Sequence, residues 1–93
     1  MDYDRAEIIA INGLSFIASE EKYLGGYLKL SGTDIEQLRE NTANPSTMPG
    51  ILASILDYFL QNEKHLIEFA QEYEIDPTDI ARARQCFPGA IHY

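Results

Sequence analysis

Ninety-three residues suffice for one small domain with a modest core, and an apolar content of 45% is ordinary for a folded chain. The formal charge of −8 disfavours nucleic acid and anionic membranes as partners, because both attract clustered Lys and Arg side chains. The single cysteine, Cys86, excludes an internal disulfide, and no apolar run approaches the roughly 20 residues that span a bilayer. We therefore expect a cytoplasmic protein.

The first two helices are predicted from Arg5 to Ala18 and around Tyr23 to Leu28. In the longer helix, apolar residues fall on nearly every face, which favours burial all round. Glu20 interrupts the apolar pattern between the two helices, and the small residues Ser31 and Gly32 are typical of a helix end. We expect the two helices to fold back as a hairpin.

A third, short helix begins at Thr33 or Asp34 and has Leu38 as one of its few apolar contacts, so we expect it to be weakly anchored. Residues 41–49 contain two prolines among Asn, Ser and Thr side chains, which predicts a loop. This loop connects two halves of one domain, at about residues 4–42 and 50–87.

The most apolar stretch, Ile51–Leu60, predicts a fourth helix that needs neighbours on most sides. Its most apolar face consists of Leu52, Ile55, Leu56 and Phe59. Asn62 suits the N-cap of a fifth helix, which ends near Glu74. Asp76 and Pro77 are a strong start signal for a sixth helix, which we expect to run to Cys86.

A shift of 42 residues aligns the second half of the chain with the first without a gap. The identical pairs are Ile9 with Ile51, Leu14 with Leu56, Glu21 with Glu63, Lys22 with Lys64, Leu24 with Leu66 and Asp34 with Asp76. The breaks at Glu20 and Asn62 also coincide, which a shared helical period alone would not require; chance and that shared period remain the alternatives. We expect two similar three-helix halves, with the first helix packed against the fourth.

No segment alternates between apolar and polar residues over five positions, so the sequence predicts an all-α fold. We expect residues 1–93 to form a single compact bundle of five or six short helices. In this bundle, Leu56→Ala and Leu14→Ala should each cost about 2 to 5 kcal/mol, and Leu38→Ala should cost much less.

Short motifs over most of the chain carry a resemblance to a known family. They are Leu14-x-Phe16-Ile17-Ala18, Leu24-Gly25-x-Tyr27-Leu28, Ser31-Gly32-x-Asp34, Ile55 to Glu63, Leu66, Phe69-Ala70 and Ile75-Asp76-Pro77. These motifs resemble a group of small bacterial proteins, found mainly in alphaproteobacteria, that are classed as a domain of unknown function. Glu20 and Asn62 stand where that family usually has Asp. The resemblance implies an all-helical protein and brings no catalytic residues with it.

Few residues are candidates for chemistry. His65, Cys86 and His92 are the only nitrogen and sulfur ligand candidates for zinc, and their spacing matches no zinc pattern. We expect His65 to be a solvated surface residue and Cys86 a small core residue, although Arg82 and Arg84 could activate its thiol or form a small basic spot. We predict no catalytic residue, no metal site and no cofactor.

Six tyrosines are many for this length, and tyrosine is enriched where apolar surface meets water or a partner. Tyr23, Gly25, Gly26 and Tyr27 are therefore the candidate protein- or ligand-binding residues. The alternative is that the two glycines allow close helix packing and that Tyr27 belongs to the core. Tyr23 would then be the exposed ring.

Since no catalytic constellation is present, the sequence favours a non-enzymatic protein-interaction or regulatory module of a bacterial cytoplasm. We expect its partner to be a protein, and we expect the chain itself to be a monomer or a homodimer. The alternative is a small-ligand or enzymatic groove between the two halves, near Tyr23, Gly25, Gly26 and Tyr27. A deep polar pocket with titratable groups would favour the ligand, and a flat aromatic patch would favour the protein.

Overall fold

The computed structural model describes residues 1–89. Six α-helices follow one another in this part of the chain: α1 (Tyr3–Ala18), α2 (Glu21–Ser31), α3 (Ile35–Ala43), α4 (Met48–Gln61), α5 (Glu63–Glu72) and α6 (Pro77–Gln85). No strand occurs among these residues, so the predicted all-α fold is confirmed. Within residues 1–89, no helix is both long and apolar enough to cross a membrane.

Three helices begin at an aspartate whose side chain accepts a hydrogen bond from the first turn. Asp2 caps α1, Asp34 caps α3 and Asp76 caps α6. Glu20 and Asn62 precede α2 and α5, but their side chains make no capping hydrogen bond. The predicted starts of the third, fifth and sixth helices therefore hold in position, while only the aspartates act through their side chains.

The connector between α3 and α4 is shorter than the predicted loop. It spans residues 44–47, and the Asn44 side chain accepts hydrogen bonds from the backbone nitrogen (2.9 Å) and the hydroxyl (2.8 Å) of Ser46. Pro49 lies in the first turn of α4. A proline fits there because the first amides of a helix have no intrahelical acceptor, so its missing N–H costs nothing.

Helix α4 is the centre of the molecule, because it contacts each of the other five helices. The face that the sequence predicts to be most apolar is completely buried, at Leu52, Ile55, Leu56 and Phe59. Helix α1 packs against α4, as expected, and also against α2 and α6. The predicted contact between α1 and α4 is confirmed, and α4 is the helix at the centre of the core.

The prediction that α1 is buried on all sides is wrong. Ala6, Ile9, Ala10 and Ile17 face the core and are inaccessible to solvent, whereas Ile8 and Ile11 are 52% and 41% exposed. Their exposure follows from the position of α1 at the side of α4 rather than in the middle of the bundle. Leu14 is only partly buried for the same reason.

Two further expectations change with the structure. Leu38 is 6% exposed and packs in the main core, so α3 is better anchored than the sequence suggests. Arg84 does not form a basic spot, because its side chain is buried. Its Nε donates to Asp57 Oδ1 of α4 at 2.7 Å, and its Nη1 donates to the carbonyls of Phe87 and Pro88. This partly buried ion pair ties α6 and the following turn to α4.

Candidate functional site

The candidate site lies where α2 runs beside α4 and the start of α5. Three contacts give the direction of the helices: Tyr23 reaches Glu68, Gly26 lies on Tyr58, and Tyr27 bonds to Ser54. Because the partner numbers fall as the α2 numbers rise, the two segments are antiparallel. We call the surface between them the α2–α4 groove.

The α2–α4 groove contains two open cavities that share Leu30. The larger measures about 400 Å³ and is lined by Gly26, Lys29, Leu30, Tyr58, Asn62 and His65. The smaller measures about 180 Å³ and is lined by Tyr27, Leu30, Ser31, Ser54, Asp57 and Gln61. Leu30 itself is 47% exposed. An accessible leucine therefore stands between two depressions of mixed polar and apolar lining.

In the larger cavity, Tyr58 and His65 form a hydrogen-bonded pair. The Tyr58 hydroxyl lies 2.6 Å from His65 Nδ1, and the two rings stack with centroids 5.7 Å apart. The end of α4 makes this pair possible: Asn62 donates its side-chain amide to the Tyr58 carbonyl at 2.9 Å, and α5 then starts on a new axis. Burial raises the pKa of Tyr58, so the hydroxyl keeps its proton at neutral pH.

Gly26 allows α2 to approach this pair. A Cβ atom on Gly26 would lie 2.9 Å from the Tyr58 hydroxyl oxygen, which is closer than such atoms pack. Gly25, its neighbour, is exposed, and a Cβ atom there would meet nothing within 4 Å. Only the second glycine of the Gly25-Gly26 pair is therefore required by close packing.

Tyr23 connects α2 to α5. Its hydroxyl donates a hydrogen bond to Glu68, and its ring packs edge-on against His65 with centroids 4.9 Å apart. The hydrogen bond to Glu68 is the main reason that the pKa of Tyr23 rises to about 12, and burial adds to it. The same bond lowers the pKa of Glu68, since it stabilises the carboxylate.

The smaller cavity is built on Tyr27 and Ser54. Ser54 Oγ donates to the Ile51 carbonyl at 2.7 Å, which leaves the Tyr27 hydroxyl as the donor in its 2.6 Å contact with Ser54 Oγ. Burial raises the pKa of Tyr27. Asp57, on the rim, is already occupied by Arg84. The polar groups that line the smaller cavity are thus mostly hydrogen-bonded or paired within the protein.

The structure corrects two expectations about these side chains. Tyr23 is 4% exposed and Tyr27 is 1% exposed, so the prediction that Tyr23 is the exposed ring is wrong, while the alternative that Tyr27 belongs to the core is confirmed. His65 is not a solvated surface residue, because it lies between the rings of Tyr58 and Tyr23. The binding role predicted for Tyr23, Gly25, Gly26 and Tyr27 stays a prediction.

The remaining candidates for chemistry lie elsewhere. Cys86 is partly buried, and its sulfur lies 3.4 Å from the Met1 carbonyl oxygen. His92 lies outside the described residues. Within residues 1–89, no three His, Cys, Asp or Glu side chains come together in a group that could hold a metal ion.

Comparison with known proteins gives the family of the chain. The chain matches the family described as "Protein of unknown function (DUF3572)" over residues 3–90. It belongs to this family. No curated protein and no solved structure matches the chain. Since the family description names no activity, the function of this family member has to be inferred from the groove.

Nine residues that line the two cavities are absent from the predicted binding residues: Lys29, Leu30, Ser31, Ser54, Asp57, Tyr58, Gln61, Asn62 and His65. Tyr58 and Leu30 read as ordinary members of apolar helices, because a helical period reports burial and not which polar tip meets which partner. One signal was available. The shift by 42 residues pairs Tyr23 with His65, and these two side chains are in ring contact in the structure.

Proposed function

We propose that this protein is a non-enzymatic protein-interaction or regulatory module that binds its partner in the α2–α4 groove. The observation that carries the proposal is the exposed Leu30 between two open cavities of about 400 and 180 Å³. A row of depressions around an apolar side chain suits successive residues of a protein segment. A small substrate, by contrast, is usually enclosed by one larger cavity.

The rigidity of the floor supports the same proposal. Tyr23, Tyr27 and Tyr58 are buried, and each hydroxyl has a partner on another helix or further along the chain. Such a floor does not have to rearrange when a partner arrives, so little conformational entropy is lost on binding. The accessible parts of the groove are Lys29 and Leu30 on α2, which lie on the outside of this floor.

Photo-crosslinking tests the proposal at single residues. A benzophenone amino acid replaces Leu30 in the full chain, and the matched control carries it at Ile35 of α3, which is 38% exposed and does not line the groove. We expect a specific cellular protein to be crosslinked from position 30 and not from position 35. The affinity of the purified partner should then fall with Leu30→Glu and persist with Ile35→Glu. Equal crosslinking from both positions, or binding unchanged by Leu30→Glu, would refute the groove as the binding surface.

A small ligand in the same groove is the second candidate function. Lys29, Tyr58 and His65 all line the larger cavity, so titratable groups converge there. A panel of metabolites distinguishes the two functions, because a ligand that binds the native state raises the melting temperature in proportion to its saturation. A rise of several degrees with a metabolite, together with no partner in the crosslinking experiment, would replace the interaction module by a ligand-binding role.

We further propose that the chain is one domain of two halves, about 4–42 and 50–87, that arose by duplication in an alphaproteobacterial cytoplasmic protein. The packing of α1 on α6 and of α4 on α3 supports this, because the 42-residue shift exchanges these two helix pairs. The protein would act as a monomer or as a homodimer, in which the exposed Ile8 and Ile11 would need cover. Sedimentation at low concentration distinguishes the two states.

A further inference from the structure

The charge of the larger cavity is opposite to that of the protein. The chain has 15 acidic and seven basic residues. The six residues that line this cavity nevertheless include Lys29 and His65 and no acidic residue. Lys29 has no ion-pair partner among residues 1–89, as is also true of Arg5, Arg39 and Lys64, but of these four only Lys29 lines the cavity. An unpaired ammonium in an acid-free cavity is complementary to an anionic group.

The contact with Tyr58 bears on which ring nitrogen of His65 carries a proton. Among the described residues, His65 Nδ1 is the only partner of the Tyr58 hydroxyl. Where the Tyr58 hydroxyl donates to Nδ1, the neutral imidazole carries its proton on Nε2. In that tautomer, His65 offers an N–H group beside the ammonium of Lys29.

Acidic groups near the cavity are held by other partners. Glu68 does not line the cavity, and its carboxylate accepts the hydroxyl of Tyr23, although its charge still acts on His65 and Tyr58. Asp57 of the neighbouring cavity is bound to Arg84. Leu30 is shared by the two cavities and is accessible, so an apolar group can lie on it while an anion reaches Lys29. The surroundings thus offer one cationic contact next to one apolar contact.

From these observations we propose that the larger cavity binds a carboxylate of the partner protein, at a chain end or on an Asp or Glu side chain, beside an apolar residue that packs on Leu30. This inference rests on the proposed function, since it names the chemistry of the segment that the α2–α4 groove recognises. Lys29 and His65 are the residues that bind the carboxylate.

Two small probes that differ by one charge test the inference. The ¹⁵N-labelled full chain is titrated with N-acetyl-leucine and, separately, with N-acetyl-leucine amide, at equal ionic strength set with sodium chloride. We expect saturable shifts of the Gly26, Lys29 and His65 amide signals with the acid, and binding of the amide that is about tenfold weaker, because a charge-assisted hydrogen bond is lost. Lys29→Gln should reduce the affinity for the acid, and Lys64→Gln, at an exposed lysine that does not line the cavity, should not.

Each other outcome overturns the inference. Equal affinity for the acid and the amide would show that the cavity does not select a carboxylate. Equal losses with Lys29→Gln and Lys64→Gln would show attraction by overall charge only. Absence of any shift at these amides up to the solubility limit of the acid would show that the cavity does not bind the group. The effect of Leu30→Glu on the crosslinked partner is measured separately, so failure of the carboxylate inference is distinguishable from failure of the groove as a binding surface.

Discussion

On the side of α4 that contacts α1 and α6, the core side chains are mostly aliphatic, with Phe87 packed on the Tyr3 ring as an exception. On the side that contacts α2 and α5 the core is mostly aromatic, and Phe16 from the end of α1 joins its rings. The aliphatic side contains Ala6, Ile9, Ala10, Ile17, Ile80 and Ala83. The aromatic side contains Phe16, Tyr23, Tyr27, Tyr58, Phe59 and Phe69, whose rings contact one another in pairs. The two sides therefore differ in what burial demands.

Burial of an aliphatic side chain requires only that its surface be covered, but burial of a tyrosine also requires a partner for the hydroxyl. On the aromatic side, Tyr23, Tyr27 and Tyr58 each have such a partner, on Glu68, Ser54 and His65. These partners lie at the edge of the core, where they line or adjoin the α2–α4 groove. The buried tyrosines thus place polar groups along the α2–α4 groove.

The largest effect is expected on the aliphatic contacts of α4. Leu56 is completely buried, Leu38 is nearly so, and Leu14 is only partly buried. We therefore expect Leu56→Ala to lower the free energy of unfolding by about 2 to 5 kcal/mol, Leu38→Ala to have the next largest effect and Leu14→Ala the smallest. This order differs from the one expected from the sequence, in which Leu14 ranked with Leu56. Urea unfolding of the three variants measures it.

A loss for Leu14→Ala as large as that for Leu56→Ala would contradict the position of α1 at the side of α4. Such a loss would also remove the difference between the aliphatic and aromatic sides, because α1 would then be buried on faces that are exposed to solvent in the structure. Ile8→Ala is the control on the exposed face of the same helix, and it should change the free energy of unfolding by less than about 0.5 kcal/mol.

The difference between the two sides explains what the sequence could predict. The face Leu52, Ile55, Leu56 and Phe59 follows from a helical period, because spacing alone brings these residues to one face. The helix starts at Asp34 and Asp76 follow from local hydrogen bonds, which also need no distant partner.

Contacts between distant residues could not be predicted in this way. Tyr58 and His65 are separated by a helix end, and Arg84 lies 27 residues from Asp57, so nothing local indicates that they bond. Whether Arg84 is exposed or buried, and whether His65 is solvated or held between two rings, depends on how the helices cross. The candidate site was predicted at Gly26 and Tyr27 and missed at Lys29 and Leu30 for the same reason.

An intermediate effect is expected from the two adjacent glycines of α2, which belong to the aromatic side. Gly25→Ala should stabilise the protein by about 0.5 to 1 kcal/mol, since alanine favours a helix and a Cβ atom there meets nothing. Gly26→Ala gains the same helix propensity but pushes against the buried Tyr58 hydroxyl, so it should be about 1 to 3 kcal/mol less stable than Gly25→Ala. Thermal or urea unfolding of both variants gives the difference.

The His65 side chain shows how the protein accommodates the added Cβ atom of Gly26→Ala. If α2 holds its position in Gly26→Ala, the Tyr58 hydroxyl has to move and the ring proton signals of His65 should change, while Gly25→Ala should leave them as they are. Equal stability of the two variants, with unchanged His65 signals, would mean that α2 does not lie as close to Tyr58 as the structure has it. The contrast between a tightly packed aromatic side and its open groove would then be lost.

The smallest effect is expected from the hydroxyl of Tyr23, and it is recognised by its dependence on pH. In the native state the pKa of Tyr23 is raised to about 12, so its contribution to stability is complete below pH 10 and is lost as the pH rises from 10 to 12. The pKa of Glu68 is lowered from its usual value of 4.5, so its contribution is complete above that pH and is lost as the pH falls through the native pKa.

The hydrogen bond between Tyr23 and Glu68 is the largest cause of both pKa shifts, so Tyr23→Phe should remove most of both losses. The difference in free energy of unfolding between the natural chain and Tyr23→Phe should therefore be level between about pH 5 and 9 and should shrink at both ends. Tyr3→Phe is the control variant over the same pH range, since it removes a tyrosine hydroxyl that has no hydrogen-bond partner among residues 1–89. A difference for Tyr23→Phe that stays constant from acid to alkaline pH would mean that Tyr23 stabilises α2 against α5 only through the packing of its ring. The tyrosine hydroxyl groups would then contribute nothing to the stability of the aromatic side, and contacts between rings alone would hold the floor of the α2–α4 groove in place.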